Sequence, residues 1–157
     1  MALDATLGGE NSNSYVTVQE ADDYFDNRLH SDLWIDDVAI KEKALITATR
    51  MLERYVDWLV LPFSDDQALT WPDSITEEII DEVKEATFEL AYNIIPEDRT
   101  AESDLKGFKS LKVGSLSIAP DKEDRKGQSL IPDYIFQIVK NYGTLVGASA
   151  FVELQRG

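Results

Sequence analysis

Between residues 37 and 59 the apolar side chains Val38, Leu45, Ala48, Leu52 and Tyr55/Val56 return at the spacing of one helical face, and no other feature constrains the chain as much. Asp36 and Asp37 stand at the start of this stretch, where the helix dipole favours negative charge. Three further segments follow the same logic. Thr17 with Glu20 three residues on forms a capping box, and Val18, Ala21, Phe25 and Leu29 continue at helical spacing, which predicts a helix over about 17 to 30. A third helix starts with Ser74 or Thr76 as its cap and Glu77 and Glu78 in the first turn. Its buried face carries Ile79, Ile80, Val83, Ala86/Thr87, Leu90 and Ile94, and Pro96 ends it. Pro132 sits in the first turn of a fourth, with Ile135, Ile138, Val139 and Tyr142 before Gly143 closes it.

Between the helices the pattern changes. Pro62, Ser64-Asp-Asp and Trp71-Pro72 mark an irregular connection after the second helix. From about 97 to 130 the chain is polar around Ser110-Leu-Lys-Val-Gly-Ser-Leu-Ser-Ile118, whose alternation predicts a strand or a hairpin bent at Gly114. Residues 1 to 14, with Gly8-Gly9 and Asn11-Ser-Asn-Ser, read as a mobile arm or extended lead-in. Residues 143 to 157 read as an extended tail that orders against a partner. The expected fold class is mainly α: a bundle of about four helices with a short β-strand or hairpin and extended N- and C-terminal arms. The helical domain covers 15–142, with the β-prone insertion at about 100–130. A length of 157 residues suits one such domain.

Composition narrows function more by exclusion than by suggestion. The absence of cysteine removes disulfides, thiolate metal sites and cysteine nucleophiles. No apolar run approaches a membrane span, and the opening residues do not resemble a signal peptide, so synthesis in the cytoplasm is expected. Thirty acidic residues against fifteen basic ones leave a formal charge of -15, which opposes sequence-independent binding to phosphates over the whole surface. The basic residues are uneven. Positions 99 to 128 hold seven (Arg99, Lys106, Lys109, Lys112, Lys122, Arg125, Lys126) against five acidic, a net of +2 that leaves -17 elsewhere and suggests two surfaces with different partners.

Catalytic signals are sparse. Carboxylate pairs such as Asp22/Asp26 and Glu78/Glu82 are expected by chance in so acidic a chain and read as a solvated face rather than an acid/base or metal pair. The stretch from Asp121 to Gly127 resembles part of a calcium loop, but Pro132 takes the place of the bidentate glutamate. His30, the single histidine, falls at the end of the first helix, where the dipole favours a positive ring; a catalytic role is the lesser reading. No nucleophile elbow or phosphate-binding glycine motif is present. Trp34, Trp58, Trp71, Tyr15, Tyr24 and Tyr55 could stack on bases, though their places on apolar faces favour a core role. Arg50 and Arg54 could grip a phosphate, or bridge acidic neighbours or an adjacent subunit.

Several segments, in order, resemble a family of tailed-phage neck proteins. They are Asn13-Ser-Tyr-Val-Thr-Val-Gln-Glu-Ala-Asp-Asp-Tyr-Phe25 with Arg28-Leu29, Lys43-Ala-Leu-Ile-Thr-Ala-Thr-Arg50, Gln67-Ala-Leu-Thr-Trp-Pro72, Lys109-Ser-Leu-Lys-Val-Gly-Ser-Leu-Ser117 and Val152-Glu-Leu-Gln-Arg-Gly157. Members often carry a DnaT-like single-stranded-DNA-binding label and are similar to head-tail adaptors. The resemblance implies a non-enzymatic structural protein of the virion neck, forming a ring about a twelve-fold axis between the portal protein and a tail, nozzle or tail-completion protein. Genomic double-stranded DNA would pass through without specific binding, and no membrane or cofactor is involved. By the same resemblance the C-terminal Phe151, Val152, Leu154 and Arg156 are expected to meet the portal. Trp71, Leu111, Val113, Leu116 and Ile118 are candidates for contacts between subunits.

On that reading the charge has a mechanical purpose, because an acidic lumen repels phosphates and lets the genome slide. Glu78, Glu82, Glu85 and Glu89, expected on the face of the third helix away from the core, are the candidate lining. The alternatives are a DnaT-like single-stranded-DNA-binding replication accessory and a small enzyme with a polar pocket around His30.

Overall fold

The computed structural model describes residues 2–96 and 130–146. Four helices and a two-stranded antiparallel sheet make up this part, so the chain is mainly helical. The elements are α1 (Val18–Asp26), α2 (Val38–Tyr55), β1 (Val56–Trp58), α3 (Asp81–Ile94), α4 (Asp133–Val139) and β2 (Gly143–Leu145). The strand expected at 110–118 and the tail from 147 onward lie outside the described residues.

Pairs of side chains set the orientation of the helices. The Tyr15 amide, just before α1, donates to Thr49 Oγ1 at 3.1 Å, while Asp22, midway along α1, meets Lys41 at 2.9 Å, so α1 runs antiparallel to α2. Lys84 bonds Glu20 and Arg28 bonds Glu89, so α3 runs parallel to α1. One end of the body therefore gathers the start of α2 with the finishes of α1 and α3. The other gathers the finish of α2 with the starts of α1 and α3. The buried stripe of α2 (Ala44, Leu45, Ala48, Met51, Leu52) packs on Val83, Ala86, Leu90 and Ala91 of α3, and Ile135 and Val139 of α4 close the core.

Helix ends depart from the sequence reading for local reasons. The Thr17 capping box forms as expected, but α1 stops at Asp26: the Asn27 amide turns back to Tyr24 and Phe25, and His30 takes a left-handed φ of 58°. Asp37 caps α2 by accepting from the Ile40 amide at 3.2 Å. That helix ends at Tyr55 rather than 59, because Val56 goes extended to pair with Leu145. The start expected for α3 at Ser74 or Thr76 shifts to Asp81. Asp73 accepts from both the amide and the hydroxyl of Thr76, and Glu77 adopts a φ of 60°, so residues 73–78 form a turn instead. Pro132 is the N-cap of α4, not a residue of its first turn.

Both arms contribute to the body more than expected. Asn13 reaches back to Asp4 and Ala2, Ala68 donates to the Gly9 carbonyl at 3.0 Å, and Ser12 and Ser14 are buried. Gly143 to Leu145, assigned by sequence to the tail, is the partner strand of β1. Gly143 is required there, since a Cβ would stand 2.7 Å from Val56 Cγ1 and 3.1 Å from the Asp57 carbonyl oxygen.

Candidate interaction surfaces

The sharpest polar construction joins α1 to α3. Glu89 is only 6% exposed, and Arg28 reaches it with Nε at 2.8 Å and Nη2 at 2.9 Å while the Tyr24 hydroxyl donates at 2.5 Å. The same guanidinium lies 4.6 Å from the Tyr92 ring centroid, and its Nη1 donates to the carbonyls of Leu29 and His30. Burial alone would raise the Glu89 carboxyl; the Arg28 and Tyr24 hydrogen bonds and the Arg28 charge outweigh it and hold the pKa below the ordinary value. Burial first, then the hydrogen bond and charge of Glu89, push the Tyr24 phenol well up.

This corrects the reading of the acidic stripe. Glu89 faces α1 and ties two helices together, so it does not share an open face with its neighbours. Glu85 is exposed, with its pKa raised by partial burial and by the charges of Glu89 and Glu82. Glu82 is half-buried, 3.5 Å from the Tyr142 hydroxyl. Glu78 lies before α3, on a cleft of about 380 Å³ shared with Glu20, Asp81 and Lys84.

Trp71 is corrected too. It is 2% exposed, its ring edge-on to Trp58 at 5.6 Å and to Tyr142 at 6.1 Å, so it is a core residue and not a contact between subunits. Tyr15 is likewise buried, its hydroxyl on Glu53, and Trp34 packs on Phe25 with its Nε1 on Asp22. These rings serve the core reading of the aromatics rather than base stacking. The other subunit candidates, Leu111, Val113, Leu116 and Ile118, and the portal candidates, Phe151, Val152, Leu154 and Arg156, lie outside the described residues. His30 is exposed and its carbonyl, not its ring, makes the recorded bonds, to Arg28 and Tyr92. It lines neither the cleft at Glu78 nor the groove between α2 and the end of α3.

What the sequence reading missed is where apolar side chains stay exposed. At the end of the body where α2 starts, Leu29, Leu33, Ile35 and Val38 face solvent. At the opposite end Leu59, Leu61 and Phe63 alternate along an extended segment held to 72–74 by a Pro62–Asp73 bridge, with Phe63 donating to the Pro72 carbonyl at 3.0 Å and Ser74 to that of Leu61 at 2.9 Å. Ile75 beside it is 85% exposed. The alternation Leu59-Val-Leu-Pro-Phe63 carried the signal of an extended ribbon, but the dense apolar run concealed it.

A second missed feature is a groove of about 460 Å³ between α2 and the end of α3, floored by Ile40, Ala44, Met51, Ile94 and Ile95 and edged by Lys43, Thr47 and Arg50. Lys43, Arg50 and Arg54 lie on one helical face, exposed and without an ion pair among the described residues. Glu53, the acid nearest Arg50 along the helix, is taken by Tyr15 and Thr70. Among the described residues no group of three or more His, Asp or Glu converges as a metal site, and no helix is long and apolar enough to cross a membrane.

A search of curated proteins found no match, and neither did a search of solved structures. A family model described as "Putative DnaT-like ssDNA binding protein" matches residues 1–157, and the chain belongs to that family.

Proposed function

We propose that this protein is a structural subunit of a phage neck, a head-tail adaptor that rings between portal and tail and continues the DNA channel without catalysis. The observation that carries the reading is the pair of exposed apolar clusters at opposite ends of a small helical body. A chain with a charge of -15 gains nothing from leaving large apolar side chains in water at both ends unless other protein surfaces cover them. Two different patches on one subunit favour head-to-tail association, which closes into a ring when the rotation allows. The ordered motifs shared with neck proteins point the same way.

Co-expression with the portal protein, purification and imaging test the reading. A stacked ring containing this chain is expected, and free portal with free monomer would refute it. Removal of residues 147–157, which spares β2, is expected to abolish that complex while the helices remain folded, since the portal contacts are assigned to Phe151, Val152, Leu154 and Arg156.

The family description favours a second reading, a single-stranded-DNA-binding accessory of replication. Lys43, Arg50 and Arg54 are where a phosphate backbone would meet the least resistance. Anisotropy of a labelled oligonucleotide at physiological salt separates the two. Submicromolar binding supports the accessory role, whereas an acidic adaptor binds poorly.

A further inference from the structure

Two features at opposite ends of α3 have matching chemistry. The turn 74–78 projects as a knob: all five residues are exposed, Ile75 is the most exposed large apolar side chain of the described residues, and Glu77 and Glu78 flank it. The turn is stiff. Besides the bonds to Asp73, the Glu77 amide donates to the Asp73 carbonyl at 3.0 Å and the Glu78 amide to Thr76 Oγ1 at 3.3 Å. The groove beside Ile94 and Ile95 is its complement, with an aliphatic floor and a cationic edge of Lys43 and Arg50 that nothing in the described chain neutralises.

We infer that the Ile75 knob of one copy seats in the Ile40–Met51–Ile94 groove of a second copy, with Glu77 and Glu78 against Lys43 and Arg50. This deepens the ring reading and rests on it, naming the surfaces by which neighbours meet. A copy cannot fill its own groove with its own knob. The knob precedes α3 and the groove lies at its finish, and 14 helical residues hold them about 20 Å apart. Each copy therefore offers one knob and one groove to different neighbours, so the contact propagates in one sense until it closes.

Volume and charge agree. The groove of about 460 Å³ exceeds an isoleucine side chain several-fold, leaving room for the Thr76 methyl and the stems of the glutamates. Leu61 and Phe63, beside the knob, extend the contact toward the roughly 1,000 Å² a stable interface needs. Nucleic acid is the poorer occupant, since no aromatic side chain among the described residues lines the groove to stack on bases.

The chain lacks cysteine, so disulfide trapping in the full-length protein is a clean test. Ile75→Cys and Thr47→Cys are made singly and together; both sites are at least partly open to solvent, and far-UV circular dichroism checks that the fold is kept. Upon oxidation the double variant is expected to give a ladder of covalent multimers. A mixture of the two single variants is expected to give a dimer and stop. Arg50→Glu in the Thr47→Cys copy is expected to cut the dimer yield about tenfold, and Glu77→Lys/Glu78→Lys in the other copy to restore it. Dimerisation of Ile75→Cys alone as fast as in the mixture would overturn the inference, because the knob would then pair with itself. So would a Thr47→Cys thiol shielded from maleimide in the monomer, which would mean the chain's own segments fill the groove. Protection of that thiol by an oligonucleotide at physiological salt would assign the groove to nucleic acid and overturn it as well. A portal-bound ring that forms without this cross-link removes the contact and leaves the adaptor reading standing; absence of any ring on the portal removes the reading itself.

Discussion

Replacing Arg28 by alanine strips Glu89 of both guanidinium bonds and leaves a carboxylate at 6% exposure with only the Tyr24 hydroxyl. Removing one partner of a buried ion pair costs about 3–5 kcal/mol because the other charge stays desolvated. The Arg28 side chain is 25% exposed and that of Glu89 8%, so water penetrates from one side and the lower figure, about 3 kcal/mol, applies. For a chain of this size the melting temperature should fall by about 6–12 °C. The pH dependence is the sharper signature. In the unaltered chain the folded Glu89 pKa lies below its ordinary value of 4.5, so the pair contributes stability that is present above pH 4.5 and is lost as pH falls through the folded value. In Arg28→Ala only the Tyr24 hydrogen bond still opposes burial, and the folded pKa rises. The charged carboxylate then destabilises at neutral pH, and protonation at lower pH relieves it. The gap between the two proteins should be about 3 kcal/mol at pH 7 and shrink toward pH 4. Urea unfolding followed by circular dichroism reads this directly. A gap under about 1 kcal/mol at pH 7, or one that stays constant with acid, would refute the reasoning. The double variant Arg28→Met/Glu89→Met should recover most of the loss, since it leaves no stranded charge.

Trp71→Ala should cost about 3–5 kcal/mol and lower the melting temperature of the monomer, because the ring fills the core beside Trp58 and Tyr142; loss of assembly with an unchanged melting temperature would restore it as a subunit contact. Gly143→Ala should cost about 1–3 kcal/mol by forcing β2 away from β1, read by thermal denaturation. Glu82→Gln/Glu85→Gln spares both the Arg28 clamp and the knob, so folding and subunit contacts should be unchanged. If these residues line the channel, genome ejection from virions carrying the variant should slow, and an unchanged ejection rate would remove them as lining.

Helical periodicity and local capping were readable from the chain alone. The α2 stripe, the Thr17–Glu20 box and the Asp37 cap depend on residues within one or two turns of each other, and such neighbours meet wherever the helix goes. The extent of α2 was not readable, because Val56 to Trp58 leave the helix to pair with Gly143 to Leu145, some ninety residues later in the chain. Glu89 makes the same point from the side of charge. Its spacing with Glu78, Glu82 and Glu85 suggested a common solvated face, but Arg28, just past the finish of α1, compensates the burial of that carboxylate. The knob and groove were hidden for a related reason: residues 74–78 read as the cap and first turn of a helix until Asp73 binds Thr76 and bends the chain outward. Arg50 reads as half of a helical ion pair until Tyr15 and Thr70 occupy Glu53. Patterns a few residues long fixed which segments are helical; side chains that only packing brings together decided which faces remain open to a partner.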